Sequence, residues 1–428
     1  MNGRLARVVS DVAALLPGPT LAAPNVVGEP GFASCFDVDI ASTASAALAN
    51  LAHGIADLDA RRVTATFATS VAIDGEPIPA WADLSGNYRT SDGGSTQFHC
   101  NFPHHAAGVV ARLGCEPTRG AVQEAVLAWD ADELESQLIA DGMIAARMRT
   151  LDEWDAHPHA VATAALPLIE VDRLGDGPAR DGGRRLRVLD CSRVLAGPVA
   201  GTTLAAHGAD VLRVGAARLP SVEIGVIATG FGKRNAFVDV ATGEGRTAFA
   251  ALLSDADVWI DAYRPGAFAA NGFDLDAVRP GSVVVQISAF DWVGPWAGRR
   301  GFDSIVQTTT GIASEGMRQA GTDVPTPLPV QALDYCTGLL AAFAARRLVD
   351  HQAGVGGTWL ARLSLLRTRN WLVGLAPPQP FTPSKPTVDP AALHAVSTAW
   401  GELTAPLPLG GAWRSPPTPL GTAEPVWL

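Results

Sequence analysis

The sequence predicts an α/β protein: a doubly wound, parallel (Rossmann-like) sheet with a second, smaller α+β domain. Two observations carry this expectation. From residue 186 onward, short continuous apolar runs read as strands buried on both faces, each followed by a helical pattern. Before residue 173 the chain changes to isolated helical stretches and alternating polar and apolar runs.

The organisation follows from those changes. Residues 1–173 are expected to form the smaller α+β domain with a helical N-terminal segment, and the Gly- and charge-rich 174–185, "LGDGPARDGGRR", a linker. Residues 186–375 would form the larger α/β domain, and the Pro-rich 376–428 an irregular tail. The 428 residues, 47% hydrophobic and 18% charged, suit two or three compact units. A formal net charge of −11 argues against nucleic-acid partners. The lack of an apolar run of about 20 residues argues against a membrane span. An Asp within the N-terminal apolar stretch argues against a signal peptide. Five dispersed cysteines without a CxxC pair fit reduced thiols and a cytoplasmic location.

In chain order, 45–62 reads as a long helix, and 87–102 as a hairpin around Ser-Asp-Gly-Gly. Helical patterns follow at 118–130 and 131–141, with a capping box at Thr150 and Glu153. The larger domain opens with strands at 186–190 and "DVLRV", separated by the small-residue helix "AGPVAGTTLAAHGA". A helix, "TGEGRTAFAALLSDA", leads to strands at 257–261 and 281–288, then to helices at 302–313 and 331–348. Ligands of such sheets bind beyond the carboxyl ends of the strands. The loops 191–198, 215–235, 262–266 and 289–303 are therefore expected around one crevice.

One residue resists a purely structural reading. "PVQALDYCTGLLAAFAARRL" (329–348) looks like a buried helix, yet Asp334 stands in its first turn. From pattern alone Asp334 is either a helix cap or a functional carboxylate near free N–H groups. His99, Cys100, His104 and His105 cluster in "FHCNFPHH", but neighbours on a strand point to opposite faces, so no metal site is expected.

An ordered series of blocks then resembles one family. "RVLDCSRVLAGPVAGTTLAAHGADVLRV" (187–214), "GKRNAFVDVATGEGRTAFAALLSDADVWIDAYRPGAFAANGFD" (232–274), "VVVQISAFDWVGPWAGRRGFDSIVQTTTG" and "PVQALDYCTGLLAAF" are similar to the family III CoA-transferases, the carnitine dehydratase/bile-acid-inducible type. The segments 81–115 and 133–160 resemble the part that usually follows the catalytic half, so the halves stand in altered order. The resemblance implies a CoA-transferase that moves CoA from an acyl-CoA donor to a small carboxylic acid acceptor through a covalent aspartyl intermediate at Asp334. Coenzyme A would be the cosubstrate, without a metal, and the assembly an interlocked homodimer. CoA would lie along Val194, Leu195, Ala196 and Gly197, with Lys233 and Arg234 on its phosphates and Arg264 as a further cation. Arg213, Arg218 and Arg299–Arg300 are weaker candidates. Family racemases carry His-Asp where this chain has Phe302-Asp303, so a racemase or isomerase is one alternative and a catalytically degenerate CoA-binding subunit another.

Overall fold

The computed structural model describes residues 2–428. Among these residues the body is a seven-stranded sheet of β1 (Glu170–Gly175), β2 (Arg187–Cys191), β3 (Asp210–Gly215), β4 (Lys233–Phe237), β5 (Val258–Asp261), β6 (Val283–Ser288) and β7 (Thr358–Ser364), in the order β4-β3-β2-β5-β6-β7-β1. All pairings are parallel except β7 with β1. Without that antiparallel edge, the strands run 3-2-1-4-5-6 along the chain, the order whose reversal point opens a ligand crevice. That point lies between β2 and β5.

Six helices position the site: α1 (Val38–Leu51), α2 (Pro103–Leu113), α3 (Ala196–Ala206), α4 (Gly243–Asp255), α5 (Asp303–Thr309) and α6 (Ala332–Val355). Successive strand residues point to opposite faces, and both faces are covered. Val188, Val211, Val258, Val283 and Ala361 share a core with α1, α3 and α6. Their neighbours Leu189, Leu212, Trp259, Val284 and Leu360 share another with Phe249 and Leu252 of α4. This double burial is why the strands are apolar without alternation.

The hairpin and the capping box stand where expected: Gly86–Arg89 pairs with Ser95–Phe98, and Thr150 and Glu153 cap each other's backbone. Several boundaries differ. The stretch expected as one helix over 45–62 is α1 and a second helix, Ala60–Phe67, separated by a turn in which Gly54 takes φ +76°. The helix expected over 302–313 is interrupted at Gly311, whose φ of +89° suits glycine. Strands β1, β4 and β7 carried no clear apolar run; β4, "KRNAF", is a polar edge strand held by β3. The tail expected to be irregular contains a strand pair, Leu393–Thr398 with Gly401–Pro406, which extends onto Ala72–Ile73. The N-terminal segment is not separate either, because α1 packs into the main core against α6.

Helices α6 and α3 pack closely. A Cβ on Gly338 would lie 2.4 Å from the carbonyl oxygen of Ala196 and 2.7 Å from Cβ of Val199. Glycine is thus required by close approach at this point. Gly338→Ala is expected to destabilise the fold by about 1–3 kcal/mol through overpacking, read as a lower urea midpoint. An unchanged midpoint would show that the helices separate freely.

Candidate active site

Asp334 lies in the first turn of α6, beside the N-terminus of α3. Its backbone N–H donates to Oδ2 of Asp303 at 2.8 Å, and the N–H of Leu333 also meets the Asp303 carboxyl. Asp303, fully buried at the start of α5, therefore caps α6 from outside. The Asp334 carboxyl in turn faces the N–H of Ala196, the first residue of α3, which favours its charged form. One sequence reading held that Asp334 caps its own helix; among the described residues its carboxyl makes no such bond, and it faces the start of α3 instead. The Gln307 side chain donates to Asp303 and accepts from the N–H of Leu328 at 2.7 Å, which fixes the capping carboxyl.

Electrostatics at this pair run against the sequence expectation. A helix N-terminus favours a negative carboxylate, yet Asp334 is held well above the usual carboxylate range. Burial is the main cause and the neighbouring Asp303 charge the second, outweighing the Ala196 N–H. Burial also pushes Asp303 up, to about 7, against the N–H donors that favour its charge.

Asp334 faces a cleft of about 620 Å³ beyond the carboxyl ends of β2, β3 and β5. The loops following β2 and β5, on either side of the order reversal, both line it. Val194, Leu195, Ala196, Gly197 and Arg264 all lie on its wall, together with Phe302. One arm runs between Val214, Tyr263 and Phe268; another is walled by Phe102, His104 and His105.

Lys233 and Arg234 require correction. Neither lines the cleft. Lys233, 2% exposed, has its Nζ 2.8 Å from Oδ2 of Asp190 and 2.8 Å from the carbonyl oxygen of Pro198. Arg234 pairs with Asp210 at 3.0 Å and donates to the carbonyl oxygen of Val426 at 2.6 Å. The sequence shows two adjacent cations but not the buried acids on β2 and β3 that neutralise them. Gly201 makes room for the first pair, since a Cβ there would lie 2.4 Å from Asp190 Oδ2. Sequence reasoning also missed Arg193, on the loop after β2, and the capping role of Asp303; nothing local marks either.

The sequence model of CoA-transferase family III matches residues 184–383. That stretch is a family III CoA-transferase sequence. The chain is 28% identical over 227 residues to "Acetyl-coenzyme A transferase nodX" of Hypoxylon pulicicidum, covering 51% of this chain and 36% of that protein. It is 29% identical over 259 residues to "Succinate--glutarate CoA-transferase" of Agrobacterium fabrum, covering 54% and 64%. The chain thus spans less than two thirds of the length of these relatives. The solved structure of Rv3272 from Mycobacterium tuberculosis overlays 46% of this chain and 57% of its own, with 26% identity and a TM-score of 0.40. Asp334, the 194–197 loop and Arg264 fall inside the family III stretch, whereas His104 and His105 fall outside it.

Replacing Lys233 tests its structural role. Lys233→Met leaves Asp190 buried without its partner and is expected to cost about 3–5 kcal/mol, measured by urea unfolding. A loss below about 1 kcal/mol would return Lys233 to the list of available cations.

Proposed function

We propose that the chain transfers CoA from an acyl-CoA donor to a carboxylic acid acceptor, with Asp334 as the covalent nucleophile. The observation that carries this reading is the placement of Asp334: a buried carboxyl, facing the Ala196 N–H, on the wall of the cleft at the sheet's order reversal. The family III stretch and relatives named as CoA-transferases support the same reaction class. We read the sheet as doubly wound in the Rossmann-like sense, with the nucleotide end of CoA in the arm between Val214, Tyr263 and Phe268, near Arg264.

In the proposed sequence, an Asp334 carboxylate oxygen attacks the thioester carbonyl carbon, the C–S bond breaks, and CoA leaves as thiolate. The resulting acyl–aspartyl anhydride is attacked by the thiolate at the aspartyl carbonyl, which releases the donor acid. The acceptor carboxylate then attacks the aspartyl–CoA thioester, and the thiolate attacks the acceptor carbonyl of the new anhydride. Acyl-CoA leaves and Asp334 returns as a carboxylate. A cleft that excludes water protects these anhydrides from hydrolysis and raises the nucleophilicity of the ionised carboxyl. Holding thioester and carboxylate together supplies much of the acceleration.

Peptide mass spectrometry after incubation with a panel of acyl-CoAs is the direct test. A CoA-sized adduct, or its hydroxylamine-trapped form, is expected on the 329–348 peptide and absent in Asp334→Ala. Bound CoA without an adduct from any donor would overturn the covalent role.

The pH dependence tests the carboxyl pair. Only ionised Asp334 attacks, so adduct formation is expected to rise with pH above the ordinary carboxylate range, because burial and the Asp303 charge raise its pKa. Asp303→Asn removes a negative charge that opposes ionisation of Asp334, so the rising limb should move to lower pH. An unmoved limb would show that burial alone sets it.

A further inference from the structure

The second arm of the cleft holds positive and hydrogen-bonding groups that the proposed chemistry does not use. Phe302 immediately precedes the Asp303 that holds the Asp334 N–H, and the Phe302 ring lies 6.1 Å from that of Phe102. Around Phe102 stand His105, with ring centroids 5.5 Å apart, and the guanidinium of Arg193, 5.2 Å from the ring centroid. His105 is 4% exposed on α2, and its Nδ1 is buried without a partner among the described residues. Nε of Arg193 is likewise buried and unpartnered, while its NH2 donates to the carbonyl oxygen of Pro220. Arg300 donates to the carbonyl oxygen of Gly142 at 2.6 Å.

Neighbouring arginines are neutralised differently: Arg218 pairs with Asp239, and Arg299 with Glu135. Arg193 and Arg300 hydrogen-bond only to carbonyl oxygens among the described residues, in a chain of net charge −11. Acidic residues on the cleft wall are limited, among the described residues, to Asp239, held by Arg218, and Asp334 itself. Burial pushes His105 down to about 4, and the charges of His104, Arg300 and Arg193 push the same way. His105, Arg193 and Arg300 all line the cleft, and with neither arginine held by an acid among the described residues this part of the wall is suited to an anion.

We propose that His105, Arg193 and Arg300 form a subsite for a second carboxylate, so that the cleft takes short-chain dicarboxyl acyl groups. The aromatic pair Phe302 and Phe102 lines the path between this subsite and Asp334 and accommodates the methylene chain. This rests on the CoA-transferase reading, and its test is a binding measurement that needs no turnover. Dissociation constants of succinyl-CoA and butanoyl-CoA, which differ chiefly by a terminal carboxylate against a methyl, are measured on Asp334→Ala by calorimetry. Charge-assisted hydrogen bonds predict a preference of about tenfold or more for succinyl-CoA. Arg193→Gln, Arg300→Gln and His105→Phe, each added singly, should reduce that ratio severalfold. A ratio near one before these changes, or one preserved while both affinities fall, would overturn the proposal; the latter would assign the arginines to the CoA phosphates. If both thioesters bind with the expected ratio and no adduct forms on the unmodified protein, the covalent mechanism fails while the subsite stands.

Discussion

Two carboxyls in series at two helix N-termini organise the candidate site. Asp303 accepts from the first turn of α6, and Asp334, carried on that turn, faces the first turn of α3. Each helix start has donors that its own backbone leaves unpaired, and each is met by an acid from another element. The position of Asp334 therefore depends on α5, α6 and α3 together. The absence of a Cβ at Gly338, which lets α6 approach the Ala196 carbonyl, belongs to the same arrangement. Burial of both acids has an electrostatic consequence: they oppose one another's ionisation, and the reactive group sits far from its solution behaviour.

The buried pair of Lys233 and Asp190 lies on the other side of α3. Lys233 reaches under the helix to the carbonyl of Pro198, so the turn beside the cleft is tied to β2 and β4. Desolvation lowers the Lys233 pKa, and the Asp190 charge opposes that shift. Removing either partner leaves a charge in the core, which is more costly than the pair is stabilising. Arg234 makes an analogous tie from β4 to Asp210 on β3 and to the C-terminal segment. Cations that look available in a row of letters are, in the folded chain, fasteners of the sheet.

Much of the architecture was legible because its physical causes are local. The strands β2, β3, β5 and β6 are continuous apolar runs, and the helices between them carry small or amphipathic patterns. Even the crevice could be placed, since the loops after β2 and β5 converge wherever the strand order reverses. Strands β1 and β4 escaped because they are the two edges of the sheet and carry polar residues, and β7 because Arg362 interrupts its apolar residues. Val194 to Gly197, Arg264 and Asp334 were read as site residues and do share one cleft wall.

By itself, then, the sequence determined the alternation of strand and helix, the crevice-forming loops and the anomalous carboxylate at Asp334. These are properties of periodicity and of a polar residue out of place. Only the tertiary structure decided the charge state and availability of each ionisable group. Whether Lys233 is available to a ligand or neutralises Asp190, and whether Asp334 caps its own helix or faces the start of another, depends on residues 43 and 138 positions away along the chain. Electrostatic free energies are set by distance and desolvation in three dimensions, and neither is encoded by neighbours in the chain.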